Sequence, residues 1–141
     1  MIAVDTNLLV YAHRSSVPQH AAARRAIEQA AGRSEGWGFA LGSVAEFWSV
    51  VTHPAGPRPS SAEKARAFLD VLIRDAEAHV WTPGPGFAGR LVALAGKLGV
   101  NGVRIFDLQI GLTAAEGGAS EIWTHDRGFV PCPGLDVVHP F

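Results

Sequence analysis

Two short apolar runs in this chain stop abruptly at a carboxylate. The first reads Ile2-Ala3-Val4-Asp5-Thr6-Asn7, and the second Ile122-Trp123-Thr124-His125-Asp126-Arg127-Gly128-Phe129. If the two runs are neighbouring strands of an open α/β sheet, Asp5 and Asp126 meet just beyond the strands' carboxyl ends, where such sheets place their ligands. Two further acids, Glu46 and Asp107, stand near the starts of expected helices that can point into the same crevice. Four converging carboxylates repel one another, so the set makes chemical sense around a hard cation. The six histidines show no His-x-x-x-His spacing, and a single cysteine offers no thiolate cluster. That argues against a zinc site and for an all-oxygen Mg²⁺ or Mn²⁺ site.

Each acid also has a plainer role. Asp5 can cap a helix or favour its macrodipole. Ser43-Val44-Ala45-Glu46 reads as a capping box, a pattern that recurs at Ser60-Ser61-Ala62-Glu63, and on local sequence alone capping leads for Glu46. Asp126 lies in a Thr-His-Asp-Arg-Gly segment where aspartate is a routine turn former. Asp107 differs, because Ile110, Gly111 and Ala114 share its helical face, and an acid directed at a core is costly unless paired or metal-bound. For this residue the functional role leads.

The elements that must position these residues follow from periodicity and punctuation. Strands are expected at Ile2 to Val4, Gly36 to Leu41, Val80 to Trp81, Ile122 to Thr124 and Asp136 to Val138. Helices are expected at Thr6 to His13, from Val17-Pro18 to about Gly32, and from Ser43 to before His53-Pro54. A fourth opens at Ser60, with Ala65, Phe68, Leu69, Leu72, Ile73 and Ala76 on one face. A fifth starts at Phe87 and stops at Gly99, and a sixth runs from about Ile105 to Glu116 before Gly117-Gly118. Pro54 to Pro59 and Pro83 to Gly86 are loops. Strands alternate with helices without a dividing linker or repeat, so the expectation is one α/β domain over residues 1–141 with a mostly parallel sheet.

A chain of 141 residues with 48% apolar composition can bury a core without disulfides or structural metals. No apolar stretch approaches the roughly 20 residues of a membrane span, and Asp5 interrupts any signal-like core, so a cytoplasmic protein is expected. A lone Cys132 between prolines allows no internal disulfide and has no evident role. The net charge of −1 gives no general basic footprint for nucleic acid, but four of the acids belong to the proposed site and leave the remaining surface net basic. Arg14, Arg104 and Arg127 lie nearest that site in sequence and are the residues to test against phosphates, although solvated surface charge is the plainer role for each. Trp37, Trp48, Trp81 and Trp123 are expected mostly in the core, and His125 in an exposed turn.

In their order, Val4-Asp5-Thr6-Asn7, Glu46-Phe47 with Val50, Thr52 and Pro54, Asp107, and Thr124-His125-Asp126-Arg127-Gly128-Phe129 resemble the PIN domain, and within it the VapC-type toxins of bacterial toxin–antitoxin pairs. The resemblance covers nearly the whole chain. It implies a PIN-like three-layer α/β/α fold, a Mg²⁺- or Mn²⁺-dependent endoribonuclease, a homodimer, and neutralisation by a cognate VapB-type antitoxin. Asp5, Glu46, Asp107 and Asp126 match the four acidic positions, Thr6 and Asn7 the polar pair beside the first, and Thr124 the hydroxyl two residues before the last. The match moves Glu46 from capping to the metal site. One departure is Gly128, where relatives often place a further acid. Two other activities use the same residues: a PIN-like module that binds metal or RNA with little or no nuclease activity, and a metal-dependent phosphatase acting on small phosphoesters. No Gly-rich phosphate loop followed by Lys-Ser or Lys-Thr is present, which argues against nucleotide-driven chemistry.

Overall fold

The architecture follows from strands whose alternate residues are both apolar. A computed structural model describes residues 1–141. In β1 (Ile2–Val4), Ile2 and Val4 point to one face of the sheet and Ala3 to the other. In β2 (Trp37–Ala40), Trp37 and Phe39 join the first face and Ala40 the second; in β4 (Glu121–Trp123), Trp123 and Ile122 divide the same way. Strands apolar on both faces must be covered on both, which makes a three-layer structure.

The first face is covered by α1 (Thr6–His13), α2 (His20–Ala31), α3 (Leu41–Thr52) and α4 (Ala62–Asp70). The second is covered by α6 (Arg104–Glu116), with Leu91, Leu94 and Ala95 of α5 (Phe87–Leu98) packed against it. With β3 (His79–Trp81) and β5 (Asp136–Val138) the sheet order is β3-β2-β1-β4-β5, and every pairing is parallel. The expected α/β fold is therefore present, with the sheet wholly rather than mostly parallel. The chain winds outward from β1 to β3 on one side and from β4 to β5 on the other. The order thus reverses between β1 and β4, and a crevice opens at their carboxyl ends.

Several helix boundaries differ from expectation. Helix α2 begins at His20 rather than at Val17-Pro18, because Val17 and His20 close two tight turns onto Arg14 and Val17 before helical bonding starts. Helix α3 starts at Leu41, directly after β2, so Ser43 lies within its first turn and is fully buried. No capping box forms there, since the N-cap position is Ala40 and makes no side-chain bond. The second pattern does cap, one residue later than expected: Ser61 accepts from the Lys64 N–H at 3.2 Å, while Ser60 Oγ lies 2.6 Å from His13 Nε2. Past Asp70 the helix widens over Val71–Asp75, closing on a bond from the Ala76 N–H to the Val71 carbonyl. That wide turn changes the facing of later residues, burying Leu72 and leaving Ile73 partly in solvent.

The tryptophans divide as expected. Trp37, Trp81 and Trp123 are buried, whereas Trp48 is exposed. Cys132 is buried in the second face, where its Cβ packs under Gly111 of α6.

Candidate active site

The parallel register sets the site. Val4 pairs with Trp123, so Asp5 and Thr124 emerge side by side at the strand ends, and the Asp5 N–H bonds to the Trp123 carbonyl at 3.0 Å. Both are buried, at 6% and 0% exposure. The Thr124 hydroxyl donates to Asp5 Oδ2 at 2.7 Å, and the Asn7 amide donates to the same oxygen at 2.8 Å. The other oxygen, Oδ1, accepts from the Thr6 N–H at 2.7 Å, so Asp5 does cap α1 while its carboxylate lines the crevice. Every donor to Asp5 is neutral. Burial without a cationic partner lifts its pKa from 3.8 to about 6, the Thr124 and Thr6 bonds opposing and the charges of Glu46 and Asp107 adding.

Asn7 and Thr124 tie β1 to the segment carrying the last acid. The Asn7 amide donates to Thr124 Oγ1 at 2.9 Å, and its carbonyl accepts from the His125 N–H at 3.0 Å. Thr124 Oγ1 also accepts from the Asp126 N–H at 3.0 Å. Asp126 is further fixed by the Gly128 N–H, which donates to Oδ1 at 2.8 Å. From α3, Glu46 accepts from the Thr6 hydroxyl at 3.1 Å; with no capping role, its carboxylate is free for the crevice. From the first turn of α6, Asp107 is directed inward, its side chain 21% exposed.

A cavity of about 560 Å³ holds all four acids, together with Thr6, Asn7 and Arg14. Tyr11, Val10, Val50 and His125 complete its wall. Tyr11 gave no sequence signal beyond its place one helical turn after Asn7, which carries it to the same end of α1 as the acids. His125 is half-buried rather than fully exposed: its ring stacks on Phe141 at 4.7 Å, meets Tyr11 edge-on at 5.7 Å, and its Nδ1 lies 3.2 Å from the Phe141 carbonyl.

The three arginines separate. Arg14 lines the cavity and donates to the Val50 carbonyl at 3.1 Å, while its buried Nε has no partner. Arg127 is exposed and does not line the cavity. Arg104 is engaged with the acids themselves, one Nη1 donating to Asp126 Oδ2 at 2.7 Å and to Asp107 Oδ2 at 3.0 Å. That guanidinium, and then the Gly128 N–H, hold the Asp126 carboxyl below its ordinary pKa. As they stand, no three of these carboxylates are close enough together to grip an ion. The donor set nonetheless fits a hard divalent cation: all the ligating atoms are oxygens, and Asp5 is a buried carboxylate with no counter-charge.

The PIN-domain family model matches residues 2–131. Ribonuclease VapC43 of Mycobacterium tuberculosis and a VapC ribonuclease of Mycobacterium bovis are each 33% identical over 141 residues, covering 99% of this chain and 95% of theirs. Among solved structures, Mycobacterium tuberculosis VapC20, a sarcin-ricin-loop-cleaving toxin, superposes with a TM-score of 0.69 at 15% identity over 92% of both chains. VapBC2 of Rickettsia felis, solved with a DNA fragment from its promoter, superposes with a TM-score of 0.66 at 20% identity over 98% of both. A parallel α/β fold with an acidic crevice at its switch point thus meets a full-length sequence match. The chain belongs to the PIN-domain family, among the VapC-type ribonuclease toxins.

Proposed function

We propose that this ribonuclease cuts RNA internally with Mg²⁺ or Mn²⁺ held by Asp5, Asp107 and Asp126, within a single PIN-like unit spanning residues 1–141. The observation that carries the reading is Asp5: a buried carboxylate, oriented by three neutral donors and lacking any cation, at the floor of a cavity shared with three more acids. A bound divalent ion supplies a water of lowered pKa and offsets negative charge on the phosphate oxygens. Glu46, held by Thr6, orients the attacking water and accepts its proton. Thr124 and Asn7 keep Asp5 and Asp126 in a fixed relation, so the acids need not reorganise as the phosphate charge develops. Arg14 reaches the cavity from the C-cap of α1 and binds a neighbouring RNA phosphate; Arg127, outside the cavity, is the weaker choice for that role.

A VapB-type antitoxin is the proposed protein partner, supported by family membership and by the VapBC2 relative; a homodimer is the proposed assembly, on family membership alone. No helix is long and apolar enough to cross a membrane.

The test is cleavage of a mixed cellular RNA pool by the purified chain with Mn²⁺, Mg²⁺ or EDTA, beside an identically purified Asp5→Ala control. Discrete metal-dependent fragments missing from the control are expected. Equal cleavage by wild type and control would remove Asp5 from the mechanism; a metal-independent product pattern would remove the ion.

A further inference from the structure

Arg104 sits where the proposed chemistry has least use for a fixed positive charge. Its Nη1 takes one oxygen from Asp107 and one from Asp126, two of the three carboxylates assigned to the metal. A guanidinium and a divalent cation cannot share those oxygens at close range without strong repulsion.

The seat for this guanidinium is made by Gly128. A Cβ at that position would lie 2.5 Å from Arg104 Nη2 and 3.2 Å from its Cζ. Gly128 is absent from the glycines with left-handed φ, so its backbone does not demand glycine. What the missing side chain supplies is room for the arginine. An exit is also present: the Arg104 side chain is 43% exposed, and a second cavity of about 760 Å³, bordered by Arg104, Glu46, Asp107, Asp126 and Phe106, opens beside it. As the first residue of α6, Arg104 can swing without unwinding the helix.

Resting on the metal-site reading above, we infer that Arg104, seated against Gly128, is an internal cation that holds the Asp107–Asp126 pair in place of the metal and thereby sets the affinity of the site for divalent ions. Metal enters as the guanidinium leaves, so the apparent affinity is the intrinsic one reduced by the fraction of molecules with Arg104 swung out. If one molecule in ten is open, binding is weakened about tenfold. The toxin then stays metal-poor when divalent ions are scarce, while Asp107 and Asp126 remain paired and ordered.

The experiment is calorimetric Mn²⁺ titration of the metal-free full chain, as wild type, Gly128→Ala, Arg104→Gln and the double variant. Gly128→Ala is the discriminating change, because it keeps every charge and blocks the seat, its Cβ otherwise meeting Asp126 Oδ1, at 3.3 Å. The expected result is Mn²⁺ binding about tenfold tighter in each single variant, with the double variant no tighter than Arg104→Gln alone. Should Gly128→Ala fail to fold, Arg104→Lys replaces it; lacking the planar fork, it is expected to bind Mn²⁺ more tightly than wild type. Unchanged or weaker binding in Gly128→Ala, or a further gain when it is added to Arg104→Gln, overturns the inference and leaves the metal site intact. Absence of Mn²⁺ binding in every variant, wild type included, overturns the metal site and the inference with it.

Discussion

Ionisation of Asp5 should make the metal-free protein less stable as pH rises, and the size of the effect can be worked. Burial is the main reason that its folded pKa stands at about 6 rather than 3.8. The folded chain therefore holds a proton that the unfolded chain releases between those two values. Protonation favours the fold, so the contribution is complete below the unfolded pKa and is lost as pH climbs through the folded one. At 1.36 kcal/mol per tenfold change in proton activity the whole effect is about 3 kcal/mol, of which about 2 kcal/mol falls between pH 4.5 and pH 7.5.

Asp5→Asn removes this titration while preserving shape. The variant carries a constant offset, because its amide would turn an NH₂ toward the Asn7 amide that donates to Asp5. Neither Asn7 nor Thr124 titrates, so the offset does not change with pH. Urea unfolding in EDTA, followed by circular dichroism at steps across that range, gives stability curves for both proteins. Subtraction cancels shared titrations such as that of His13, whose pKa burial lowers. The wild type should lose about 2 kcal/mol relative to the variant from pH 4.5 to 7.5, equivalent to a fall in Tm of roughly 6 °C. Parallel curves would refute the claim that Asp5 is a buried carboxylate without a counter-charge.

Further outcomes follow from single contacts. Thr124→Val keeps the shape of a fully buried side chain but removes the hydroxyl that Asp5, Asn7 and Asp126 share; cleavage with Mn²⁺ should fall about 10–100-fold and recover in Thr124→Ser, as kcat/KM would report. Gly38→Ala would place a methyl group against the His79 carbonyl across the β2–β3 pairing, costing about 3 kcal/mol in urea unfolding because the obstacle is backbone. Phe47, fully buried and stacked 5.2 Å from Phe68, anchors α3; Phe47→Ala should cost about 3–5 kcal/mol by the same measurement.

Much of the molecule could be read from the chain because the relevant physics is local. Alternation of Ile2, Ala3 and Val4, or of Trp37, Phe39 and Ala40, already requires a sheet covered on both faces. Gly99 closes α5 in a left-handed conformation, as its position after an apolar helical face predicts. Local signals failed where the surroundings competed with them. Ser43 and Glu46 have capping-box spacing, yet β2 runs straight into α3 and buries Ser43, so the cap lost to packing. The early end to regular α4 geometry at Asp70 left no mark in a helical pattern that continues to Ala76.

By itself, then, the sequence determined the order of strands and helices and the placing of Asp5, Asp107 and Asp126 at or near their ends, whereas the helix start that put Glu46 near an end moved back to Leu41. Only the tertiary structure decided what each acid faces. Asp5 is desolvated by burial between β1 and β4 and meets only neutral donors, whereas Asp126 is met by Arg104, 22 positions away. Burial and charge pairing depend on distance in space, and the parallel register of the sheet sets that distance.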